Sequence, residues 1–183
     1  MKMRGCQMKS LYVLLLSWCL IGCIRPEVRA PDPDAVSRAQ ALINQGVALL
    51  RTRQLENAHA VFSLALEVAE IPESLDGLGC VAFQRGDMNG AKQLFSATIR
   101  KFPEYSQAYA NLAQLYEANG QGKFAAQYYK EALARDPKNY KARNNFGGYL
   151  YDNDYRDLAR YELLKANAVA QEELIEDNLK RVR

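Results

Sequence analysis

The sequence predicts an all-α solenoid, built from helix pairs stacked one on the next. Three observations predict it. The chain resembles itself at a period of 33–34 residues, small and large side chains recur at fixed places within that period, and turn-forming residues break each unit. Of 183 residues, 49% are apolar and 25% charged, a balance that folds rather than stays disordered.

The first element is a leader. Residues 1–10 carry Lys2, Arg4 and Lys9, and Leu11 to Ile21 form an apolar run interrupted only by Ser17. That run is too short to span a bilayer, which takes about 20 residues, and has the basic-then-apolar order of a secretory signal. Either Met1 or Met8 could open it. The run ends Leu20-Ile21-Gly22-Cys23, which resembles a bacterial lipobox. The resemblance implies a signal peptide over 1–22, cleavage before Cys23, and lipidation of Cys23 with palmitate among its acyl chains. Such chains anchor a protein at about 0.8 kcal/mol per buried methylene. Ile24 in place of Asp after the cysteine leans towards the outer membrane, periplasmic face, by the same resemblance.

Residues 23–38 follow as a tether. Pro26, Pro31 and Pro33, with little apolar content, predict extended polyproline-like chain.

Four units come next: 39–71, 72–105, 106–139 and 140–167. Gly46, Gly79, Ala113 and Gly147 hold the eighth place, and Ala58, Ala91, Ala125 and Ala159 the twentieth. Small residues at both places let two antiparallel helices approach closely. Phe62, Phe95, Tyr129 and Leu163 at the twenty-fourth place fill the space above that contact. Gln84-Arg85-Gly86-Asp87, Ala118-Asn119-Gly120-Gln121 and Asp152-Asn153-Asp154 supply the mid-unit turns, and Pro103 and Pro137 end units two and three. Residues 168–183 predict a closing helix, acidic before basic, with Val169, Leu174, Ile175 and Val182 covering the last unit; a frayed tail is the other reading.

These spacings resemble the tetratricopeptide repeat. The resemblance implies a right-handed superhelix whose first helices line a concave groove. At the groove positions of that family stand Asp76, Phe83 and Gln84, then Gln107, Gln114 and Glu117, then Lys141, Asn144 and Tyr151; Glu73, Cys80, Ala110, Ala118, Gly148 and Asp152 complete the set. Asn111 and Lys141 stand at two places of the family's carboxylate clamp, but Asp76 inside it would repel the ligand, so a chaperone-type clamp is excluded. Phe83 and Tyr151 either face the groove or pack against neighbouring units. Lipobox, tether and repeats together, with Asn144 to Tyr151 in the last unit, are similar to the pilotin lipoproteins of type IV pilus biogenesis. That likeness implies a secretin as partner. An adaptor for cell-wall hydrolases or other envelope machinery is the alternative.

Composition excludes other classes. One histidine, His59, gives no acid/base constellation, and Cys80 has no neighbouring histidine or second cysteine. No enzyme, cofactor, metal site or small-molecule substrate is expected. The formal charge of +3 belongs to the leader; the remainder holds 21 basic and 21 acidic residues, so nucleic acid is not an expected partner.

Overall fold

The computed structural model describes residues 32–182, and the leader and Cys23 lie outside them. Among the described residues the elements are all helices: α1 (Pro33–Arg51), α2 (Leu55–Val68), α3 (Pro72–Gln84), α4 (Met88–Lys101), α5 (Ser106–Ala118), α6 (Gly122–Arg135), α7 (Tyr140–Asp152), α8 (Arg156–Asn167) and α9 (Glu173–Arg181). None is long and apolar enough to cross a membrane. Consecutive helices pair as α1 with α2, α3 with α4, α5 with α6 and α7 with α8. The odd-numbered helices also touch one another along the row, whereas the even-numbered ones do not. The row of odd helices is therefore the tight, concave side, and the even helices splay apart on the convex side.

The pairing follows from side-chain size. Ala58, Ala91, Ala125 and Ala159 are fully buried, and so, within 1%, are Phe62, Phe95, Tyr129 and Leu163. A Cβ added at Gly79 would meet the Phe95 ring at 2.5 Å, and one at Gly147 would meet Leu163 at 2.7 Å. Glycine is thus the residue that lets the large side chain of the second helix lie on the backbone of the first. In the later units the core is aromatic: Tyr129 stacks with Phe146 at 5.3 Å and lies 5.9 Å from Tyr149. Their hydroxyls are satisfied, Tyr149 donating to the Gly122 carbonyl and Tyr129 to Glu117, both at 2.8 Å.

Ends are capped where the sequence offers a cap. Asp87 accepts from the Gly90 N–H at 2.8 Å and Asn139 from the Ala142 N–H at 2.9 Å. Pro72 opens α3 without needing an N–H.

Two expectations are corrected. The stretch 23–38 is not extended throughout, because α1 begins at Pro33. Proline at the first helical position is preset for a helix, and Asp32 caps it by accepting from the Asp34 N–H. At the other end, the closing helix forms, but only Ile175, 1% exposed, and the half-buried Val182 pack inward. Val169 and Leu174 are 50% and 61% exposed. Val169 precedes α9, and Leu174 lies one residue, about 100° of helix, from Ile175.

Candidate concave groove

The concave face is presented by α3, α5, α7 and α9. Its floor is a chain of amides and one carboxyl. Asn111 on α5 donates to Asp76 on α3 at 2.8 Å, and Gln107 donates to Asn111 at 2.9 Å. Asn178 on α9 donates to Asn144 on α7 at 2.9 Å. The bonds from Asn111 and Asn178 cross from one repeat to the next and fix the register of adjacent first helices.

The predicted groove residues fall into three groups. Gln107, Gln114 and Lys141 are partly or fully open and line one hollow of about 260 Å³ with Asn111 and Asn144. Gln114 also lines, with Glu117, a second hollow of about 280 Å³. Asp76, Asn111 and Asn144 are more than 90% buried, so their polar atoms serve the bonds between repeats. Phe83 and Tyr151 are half-buried and pack against the core. The Arg181 guanidinium lies 4.9 Å from the centre of the Tyr151 ring. Gln84 is exposed at the end of α3, away from both hollows.

Burial dominates the electrostatics of the groove floor. Burial pushes Asp76 up to about 7, partly opposed by its bond from Asn111 and reinforced by Glu73. Its second oxygen, Oδ1, has no hydrogen-bond partner, nor has the buried Ser74 hydroxyl. Burial raises the Cys80 thiol well above its ordinary range, with the Asp76 charge adding to it, so the thiolate is disfavoured. Glu117 is raised by burial while accepting from Tyr129. No cluster of metal-ligating side chains occurs among the described residues.

One wall of the groove was missed in the sequence. Leu174 and Ile175 border the first hollow, and Leu174, Asn178 and Arg181 the second. The available signal was the period itself: Asn178 stands 34 residues after Asn144, so α9 takes the place of the first helix of a further repeat.

Comparison with known proteins agrees with this architecture. The tetratricopeptide repeat family matches residues 77–140. The type IV pilus assembly protein PilF of Pseudomonas aeruginosa is 33% identical over 90 residues, which are 49% of this chain and 36% of that protein. A solved thermophilic TPR protein of Thermus thermophilus superposes with a TM-score of 0.68 at 22% identity, over 79% of this chain and 80% of that one, a likeness of fold. The solved pilF of Pseudomonas aeruginosa gives 0.57 at 29% identity, over 61% of this chain and 51% of that one. Repeat spacing, helix order and these likenesses give the chain a tetratricopeptide-repeat type of fold, and it is similar in sequence to the type IV pilus assembly protein PilF.

Proposed function

We propose that this protein is a non-enzymatic scaffold of type IV pilus assembly, tied to the outer membrane by lipid on Cys23 and holding a protein partner in its concave groove. The observation that carries the reading is the 33% identity to PilF over 90 residues. The groove supports it chemically. Gln107, Gln114 and Lys141 offer donors and acceptors beside hollows of about 260 and 280 Å³, too open and too small for a closed substrate pocket. Side-chain amides can match the N–H and C=O groups of an extended segment on any sequence, a suitable means of gripping a tail or loop. The pilotin resemblance supports the secretin subunit as the partner, with lipid on Cys23 holding the scaffold at the membrane where the ring assembles.

The test is Cys23→Ser in the full chain, followed by fractionation and by gel analysis of secretin multimers. The mutant protein is expected in the soluble periplasmic fraction, with multimers reduced. Normal multimers and normal twitching motility in a strain whose mutant protein has left the membrane would remove the pilotin role.

A further inference from the structure

The convex side carries an opening that the concave groove does not account for. No Cα atom of α6 comes within 8 Å of one on α8. Between them lies a groove of about 880 Å³ whose floor is the outer face of α7, including Phe146 and Leu150. Its α6 wall runs from Gly122 to Ala134, about 18 Å at 1.5 Å per residue. That wall sets the small Gly122, Ala126 and Ala134 among Lys123, Lys130 and Leu133, whereas the α8 side presents Leu158 and Tyr161 and, just before the helix, Tyr155. These three are 55%, 53% and 57% exposed, an unusual concentration of apolar surface on one short segment.

The charges on the rim define the partner. Arg143 and Glu162 form an ion pair with each other, both largely buried, and so cancel. Lys123 and Lys130, both exposed on α6, have no acidic partner among the described residues. The rim is therefore positive. An elongated groove of three helical turns, with large side chains opposite small ones, suits a helix lying lengthwise. A flank of unpaired lysines selects acid beside that helix's apolar stripe.

We propose that the groove between α6 and α8 docks an amphipathic helix of a partner protein, apolar on one face and acidic along the flank that meets Lys123 and Lys130. The site is separate from the concave groove and does not depend on its occupant.

The test uses the full chain and two labelled helical peptides of about 14 residues. They share one leucine stripe and differ in having Glu or Lys on the flank. Fluorescence anisotropy is expected to show saturable binding of the Glu peptide, at least tenfold tighter than the Lys peptide. The Lys123→Glu/Lys130→Glu double variant, with an unchanged circular dichroism spectrum, should weaken the Glu peptide at least tenfold and reverse the preference. Lys141→Glu, on the concave face, should leave binding unchanged. Failure of the Glu peptide to saturate, equal binding of both peptides, or sensitivity to Lys141→Glu in place of the α6 lysines would each overturn the proposal.

Discussion

Arg53, Gly86, Gly120 and Asp154 occupy the same turn in the four repeats, and all have positive φ, from 57° to 82°. Two glycines meet that requirement freely, while Arg53 and Asp154 meet it at a cost of about 1 kcal/mol each. Asp154→Gly and Arg53→Gly are each expected to stabilise the protein by roughly 0.5–1 kcal/mol, measured by urea denaturation. No Cβ clash opposes Ala at Gly120, yet Gly120→Ala should destabilise by about 1 kcal/mol through φ alone. At these turns the sequence was legible for Gly86 and Gly120. It was mute for Arg53, because arginine carries no signal of left-handed backbone.

Position in the repeat assigns Asp76 to the groove face but does not say what the next repeat lays over it, and Asp76 is buried. Its burial has a consequence in pH. The folded state holds the Asp76 proton more tightly than the unfolded chain does, since its pKa rises from 3.8 to about 7 on folding. The acid is thus favourable at low pH, and stability falls as pH climbs from about 4 to about 7, then levels off. Asp76→Asn is expected to flatten that slope and to raise stability at pH 8 by roughly 2–4 kcal/mol, with little change at pH 4. A series of denaturant melts across pH checks both halves of the statement.

The helix pair owes its geometry to Gly147 under Leu163 and Gly79 under Phe95. Gly147→Val would drive its side chain into Leu163 and the α8 backbone, and is expected to cost about 1–3 kcal/mol in thermal or denaturant unfolding. These pairs were legible, because a small residue facing a large one at fixed spacing recurs in unit after unit. The two chain-end elements were less so. Pro33 reads as extended chain or as a helix start with equal right until Asp32 is seen capping it. The acidic-before-basic order of 168–183 and its apolar residues predict only a cover over the last unit. In α9, Asn178 nonetheless bonds Asn144, and Ile175 is 1% exposed. Ile175→Ala should loosen α9 alone, abolishing amide-exchange protection across 173–181 while α1 to α6 keep theirs.

Residues 32–182 form a row in which each unit leans on its neighbours. Glu56 pairs with Arg85 at 2.7 Å, and Arg135 reaches back to the Pro103 carbonyl at 2.8 Å with its guanidinium over the Tyr109 ring. This row leaves two kinds of open surface: a polar concave face, tied by Asn111 and Asn144, and a splayed convex face, where α6 and α8 part. The concave face was legible, because repeat position fixes which helix lines it. The convex opening was not, since it depends on a gap between second helices that no single repeat encodes. The scaffold reading depends on the concave face holding another protein. Its most direct test is a photoreactive residue in place of Gln114, in the full chain, irradiated in intact cells that assemble type IV pili. A crosslink to the secretin subunit, lost when the probe is moved to Phe124 on the convex side, is the predicted result. A crosslink from Gln114 to cell-wall hydrolases, or from Phe124 alone to the secretin, would contradict it.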